Sequence, residues 1–197
     1  GWRARMADQP ADLPPSPELL YGQVVVEFAH GQYRRAHDHA CELEQVCTAR
    51  GDDQGTVIAW RMQAQLLHFL GQHGRARVLA EDVMRHPAPA LRLAGTRLDP
   101  VDRRISMRIV LARIAWLEGD GDAAEERVAE SLALSDHDLD YARCQVLALA
   151  GVPIAIGLGQ LDRARERLAQ MRRLVERHAI AYWHDWTKAY EWLLDAG

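Results

Sequence analysis

Apolar residues recur at helical spacing along most of the chain, and no stretch alternates apolar and polar positions as a half-buried strand would. Leu20, Val24 and Phe28 form one stripe, with Val25 beside it, and Ala36, Ala40, Leu43 and Cys47 form the next. Val57, Trp60, Ala64 and Leu67 are followed by Ala76, Leu79, Ala80 and Val83. One later helix carries two stripes at once, Ile105, Ile109, Ala112 and Trp116 on one side and Met107, Val110, Ile114 and Leu117 on the other. That pattern predicts burial between two neighbours. Leu161, Ala164, Leu168, Met171 and Val175 alternate with arginines in another helix. Gly151 and Pro153 interrupt an apolar run, so a kink or break is expected there.

The turns between these stripes share one frame. GDGDAA at 119–124, GQYRRA at 31–36, GQHGRA at 71–76 and GQLDRA at 159–164 each place a glycine five residues before an alanine. The glycine supplies a left-handed helix cap, and the alanine is small enough for two helices to approach. In GDGDAA, Asp122 is expected to cap the following helix. The four glycines lie about 40, 48 and 40 residues apart, a spacing that marks a repeat array. Ser16-Pro17-Glu18 reads as a helix start, and so does Asp99-Pro100.

The expectation is an all-α protein, a right-handed superhelix of stacked helical hairpins with about nine helices. Residues 1–15 read as a linker or tail, and 16–197 as a single repeat domain. Its hairpins span about 17–50, 54–86, 100–135 and 138–178, with a final helix at 179–195. Pro87 and Pro89 halt helix formation, and His86 to Pro100 is expected to form a longer loop.

These frames resemble the tetratricopeptide family. Trp60 and Ala64 lie 11 and 7 residues before Gly71, and Leu111 and Ala112 lie 8 and 7 before Gly119. In that family the first helix carries an aromatic and a small residue at set distances before the turn. The small residues of the second helices match at Ala36, Ala76, Ala124 and Ala164. A period nearer 40 than the family's ~34, and closing prolines missing except at Pro87, make the resemblance a divergent one. A longer resemblance joins Leu98-Asp99-Pro100, the run from Ala112 to Gly119, and the run from His178 to His184. It is similar to the C-terminal helical repeats of bacterial winged-helix/ATPase (STAND-type) transcriptional regulators, and covers roughly the second half of the chain. The resemblance implies a non-catalytic sensor or interaction module of a regulator. The sequence carries no Walker lysine motif and no recognisable DNA-reading helix. Transcriptional activity would then belong to a longer parent, of which this chain reads as a cut piece.

Composition narrows the classes. A 197-residue chain with 48% hydrophobic and 26% charged residues is an ordinary globular one. A net charge of −4 argues against nucleic-acid binding as its main task. Lys188 is the only lysine, which reads as a genome bias toward arginine. Three cysteines, Cys41, Cys47 and Cys144, cannot all pair, and with no hydrophobic targeting core at the start a cytoplasmic location is expected. No apolar run approaches the ~20 residues of a membrane span.

Candidate chemistry is sparse. Tyr182, Trp183, His184, Trp186, Tyr190 and Trp192 crowd the last helix. Ile180, Trp183, Trp186, Thr187, Tyr190 and Leu194 fit one face, whose plainer reading is packing on the fourth hairpin and whose functional reading is an aromatic ligand pocket. Trp192 falls on another face with Asp185 and Lys188, where a following helix would touch it. The resemblance puts the first helix of each hairpin on a concave groove. It thereby names Trp60, Arg104, Arg108, Trp116 and His184 as groove candidates, beside Trp183, Trp186 and Tyr190. A groove arginine could hold a carboxylate or phosphate, or else be paired internally. His37 and Cys41 share a helical face but His39 points away, so no metal site is expected. Arg163, Arg165, Arg167, Arg172, Arg173 and Arg177 form a basic side that reads as a solvated face with local ion pairs. No catalytic motif and no cofactor motif is present. The expected partner is a protein, a peptide or a small-molecule effector in the groove. The alternative is an interaction scaffold, a homodimer among its forms, with no effector.

Overall fold

The computed structural model describes residues 15–87, 103–135, 140–178 and 181–196. The predicted tail before Pro15, most of the loop before Pro100, the Asp99-Pro100 start, Asp138 and Ile180 lie outside the described residues. Among those described, the chain is all-helical, with nine helices and no strand. They are α1 (Pro17–Ala29), α2 (Tyr33–Ala49), α3 (Asp53–Phe69), α4 (His73–Arg85), α5 (Arg103–Leu117), α6 (Gly121–Leu134), α7, α8 (Leu161–His178) and α9 (Ala181–Asp195). Helix α7 is one rod in three parts: Asp140–Val146, a π-helical turn Leu147–Gly151, and Val152–Gly157.

Helix α1 begins as its sequence predicts, with Ser16 Oγ accepting from the Leu19 amide at 3.2 Å and Pro17 at the first helical position. The recurring glycines close helices by one device. Gly31, Gly71, Gly119 and Gly159 all have φ between 71° and 89°. Each glycine amide donates to the carbonyl three residues back, as Gly71 does to His68 at 3.0 Å. The next amide reaches five residues back: Gln32 to Glu27, Gln72 to Leu67, Asp120 to Ala115 and Gln160 to Ala155, each at 2.9 Å. This pair of bonds is the Schellman motif, and it satisfies carbonyls that a helix end leaves open. A fifth copy at Gly51 joins α2 to α3. Ala36, Ala76, Ala124 and Ala164, five residues beyond the four glycines, are fully buried.

One cap differs from expectation. Asp120, not Asp122, caps α6, its Oδ1 accepting from the Ala123 amide at 3.0 Å. Asp122 is exposed in the first turn, where its charge meets the positive end of the helix.

Contacts divide the chain into two compact units, Gly1–Leu98 and Asp99–Gly197. In the first, each of α1 to α3 packs on its successor, and α1 also reaches α3. Leu20, Val24, Leu43, Cys47, Ile58 and Leu66 fill its core, and Phe28, Tyr33 and Phe69 stack together at one end. In the second, each of α5 to α8 packs on its successor, while α5 touches α7 and α7 touches α9. The double-striped α5 is buried as predicted through Ile105, Met107, Ile109, Val110 and Ile114, although Leu117 at its end is exposed.

The π-turn falls where Gly151 and Pro153 break the apolar run, so the expected irregularity is an inserted residue in an otherwise continuous rod. Gly157 also has a packing role, because a Cβ there would fall inside the Trp116 indole. A Cβ on Gly71 would meet nothing within 4 Å, so only its positive φ resists substitution. Gly71→Ala is therefore expected to cost about 1 kcal/mol. Gly157→Ala is expected to cost more, about 1–3 kcal/mol of overpacking, and to change Trp116 fluorescence as well. Urea denaturation of both variants, followed by fluorescence, checks the order.

Candidate functional site

The predicted groove residues divide between the two units. In the first, half-buried Trp60 on α3 donates its indole N–H to Glu44 Oε1 of α2 at 2.7 Å. Gln63 Nε2 donates to Glu44 Oε2 at 2.7 Å and to the Ala40 carbonyl at 3.3 Å. The Trp60 ring also meets His86 edge-on, with centroids 5.9 Å apart. Trp60 is thus a wedge whose polar edge is already satisfied by its neighbour helix.

In the second unit, Arg108 Nε donates to Glu130 Oε2 of α6 at 2.9 Å. That is the internally paired reading of this arginine. Arg104 is exposed, and its carbonyl accepts from Arg108 Nη1 at 3.4 Å. Trp116 lies against the core shared by α5, α6 and α7, over Gly157. His184 is exposed, with Nδ1 4.0 Å from Asp185 Oδ1.

The structure does bring the last helix's aromatics together. Trp183 is buried against Cys144, Leu147, Met171 and Val175. Trp186 lies 5.9 Å from it and Tyr190 6.1 Å further on, centroid to centroid. Tyr141 of α7 and Tyr182 extend the row at 5.8 and 4.7 Å from Trp183. Thr187 and Leu194 complete the buried face, so the packing reading holds for this side of α9. The Tyr190 hydroxyl donates to the Ala148 carbonyl within the π-turn at 2.6 Å. Burial pushes its phenol up to about 12, partly offset by Arg113.

Residues that periodicity did not single out hold the second unit together. Arg167 of α8 makes paired bonds to Glu125 of α6 at 2.9 and 2.6 Å, and donates to the Gly151 carbonyl at 2.8 Å. Arg113 reaches the Leu149 carbonyl at 3.5 Å. Glu125 and Glu44 each sit beside a buried apolar stripe, next to Ala124 and Leu43. An acid flanking such a stripe is the signal that could have marked both.

The basic side of α8 largely resolves into ion pairs: Arg163 and Arg167 with Glu125, Arg165 with Asp162, and Arg172 with Glu176 and Glu191. Arg173 and Arg177 line an open depression of about 260 Å³ with Ser135, Asp140, Arg143, Gln170 and Leu174. A larger one in the first unit, about 420 Å³, is lined by Gln63, Leu67, Gly74, Arg75, Val78 and Leu79. Neither is lined by a predicted site residue.

Cys41 Sγ lies 3.7 Å from His37 Nδ1, but burial pushes the thiol up and the imidazole down, so neither is driven to its charged form. His39 turns instead to Glu27 Oε2 at 2.8 Å. Among the described residues, no three His, Cys, Asp or Glu side chains are grouped to hold a metal ion, and no helix is long and apolar enough to cross a membrane. No protein-family model matches the sequence, and comparison with curated proteins finds no significant match.

Two outcomes follow from the contacts around α7. Arg167→Met leaves Glu125, whose side chain is only 16% exposed, with Arg163 as its one remaining ion-pair partner among the described residues. It is expected to cost about 3 kcal/mol, and Glu125→Met in the same chain is expected to recover part of that in chemical denaturation. Tyr190 is held neutral in the fold above the ordinary phenol value of ~10, so its contribution is complete below pH ~10 and declines as pH rises toward 12. Cys47 and Cys144, pushed up to about 11 chiefly by burial, act in the same direction from their ordinary value upward. Stability measured across pH 9 to 12 is therefore expected to fall less steeply in Tyr190→Phe than in the parent chain.

Proposed function

We propose that this chain is a non-catalytic binding module of tetratricopeptide type, serving a bacterial signalling or transcriptional regulator by engaging a protein or peptide on the hollow side of its stacked hairpins. The observation that carries this reading is the single corner device, repeated at Gly31, Gly51, Gly71, Gly119 and Gly159 and each time followed by a helix packed on its predecessor. Such stacking presents rows of helices whose outer positions are free to vary. Right-handed superhelical stacking of the hairpins is part of this proposal, as is a cytoplasmic location.

Between the two kinds of ligand, a protein or peptide has the better support. Trp60, Arg108 and Tyr190, the polar groups that would orient a small effector, have partners within the chain. The depressions at α3–α4 and α7–α8 are open and combine a few apolar and charged side chains, which suits an extended partner better than an enclosed metabolite.

A thermal-shift screen of short peptides of varied charge beside common metabolites tests the proposal. At least one peptide class is expected to raise the melting temperature progressively with the logarithm of its concentration, with Val78→Glu in the larger depression weakening a peptide that docks there. A metabolite acting alone would move the assignment to an effector sensor. No stabilisation by either class would defeat both readings.

A further inference from the structure

Helix α9 has two faces of different character. Trp183, Thr187 and Leu194 point into the second unit. Opposite them, Asp185, Ala189, Trp192 and Ala196 share the outward side, with Tyr182 and Leu193 along one edge and Lys188 along the other. Trp192 is 74% exposed, Tyr182 64% and Leu193 46%. The Asp185 side chain is 90% exposed, and among the described residues its one charged contact is the 4.0 Å approach of His184. Lys188 is exposed and has no ion-pair partner among the described residues. On neighbouring α8 most arginines are paired, whereas this face keeps an acid and a base uncommitted beside three large apolar groups.

We infer that this face docks a second copy of the chain, α9 against α9, antiparallel, about a two-fold axis at the height of Thr187. The argument is self-complementarity. A two-fold contact brings each residue against one equally far beyond the axis, and every contact occurs twice. Tyr182 and Trp192 lie at equal distances either side of residue 187, so Tyr182 of each copy meets Trp192 of the other, with Leu193 alongside. Asp185 and Lys188 straddle the same height and form two reciprocal ion pairs. Ala189, small and near the axis, leaves room for the two helices to approach. A parallel pairing would set Asp185 against Asp185 and Lys188 against Lys188, and that repulsion selects the antiparallel arrangement. One fifteen-residue helix face offers less than the roughly 800 Å² per partner of a standard stable interface, so this is a weak, concentration-dependent dimer. It needs no foreign ligand and stands independently of the binding role proposed above.

Sedimentation velocity on the 197-residue chain, from low micromolar to near-millimolar concentration, is the first readout. The expected result is a monomer–dimer equilibrium. Trp192→Glu should weaken it roughly thirty-fold or more, as loss of a central aromatic anchor does, with an unchanged circular dichroism spectrum and melting temperature. Asp185→Lys and Lys188→Asp should each weaken it separately, while an equimolar mixture of the two regains association, because like charges then face unlike ones across the axis. The charge variants lie at exposed positions and keep the test decisive if Trp192→Glu misfolds. A monomer at every concentration, or a dimer indifferent to these substitutions, would overturn the proposal. Failure of the mixture to recover would overturn the antiparallel register. Association that appears only when a separate amphipathic helical peptide is added would reassign the face to a foreign partner.

Discussion

The left-handed glycine corner is the constraint on which the rest of the structure depends. A helix ending at an L-residue with ordinary φ would either continue or leave its last carbonyls open. The glycines at 31, 71, 119 and 159 do neither, since their positive φ turns two amides back onto the preceding helix. The chain then leaves in a fixed direction, and the first buried residue of the next helix falls five positions later. At each of these four corners that residue is a fully buried alanine. A larger side chain there would force the two helices apart, so the corner and the alanine act as one unit. Gly51 makes the same turn without the alanine, which separates the two roles: the backbone motif reverses the chain, and the small residue sets how closely the helices pack.

The π-turn in α7 is the second constraint, and it works through exposed backbone. An inserted residue breaks the regular ladder and frees carbonyls inside a packed unit, where an unmet acceptor would be costly. Tyr190, Arg167 and Arg113 approach the carbonyls of Ala148, Gly151 and Leu149 from α9, α8 and α5. The irregularity therefore ties three other helices to α7. Arg167 carries the tie to a fourth through Glu125 of α6. This explains why an apolar run containing both glycine and proline persists as one rod.

Most of the fold was legible because its determinants are local. Helical stripes, the Ser16-Pro17 start and the glycine corners each lie within a few residues of sequence. Where the reading slipped, the repeat's own register held the answer: Asp120 aligns with Gln32, Gln72 and Gln160 as the residue after the glycine, which is the cap position, whereas Asp122 lies two residues further on, within the first turn. The candidate site was less legible for the opposite reason. Arg108 meets Glu130, Trp60 meets Glu44 and Arg167 meets Glu125 across separate helices. Nothing in a helical period says whether a charged or aromatic residue beside a stripe faces a groove or the flank of the next helix. The aromatics of α9 are an intermediate case, since their periodicity correctly sorted Trp183, Thr187 and Leu194 inward and Trp192 outward.

That sorting bears on where function can reside in a molecule of this kind. Corners and alanines are fixed by backbone geometry, and buried stripes by packing, so neither can change without loss of the fold. What remains free is the outer strip of each helix and the mouths between neighbours. A residue on such a strip has no packing reason to be large and apolar, and the hydrophobic effect acts against leaving it in water. Val78 beside the α3–α4 depression and Trp192 on the open side of α9 are both more than half exposed, in chains of contact where a polar side chain would serve the fold equally well. On the binding role proposed above, recognition belongs to exposed apolar positions framed by charge, and the internally bonded Trp60, Arg108 and Arg167 belong to the architecture.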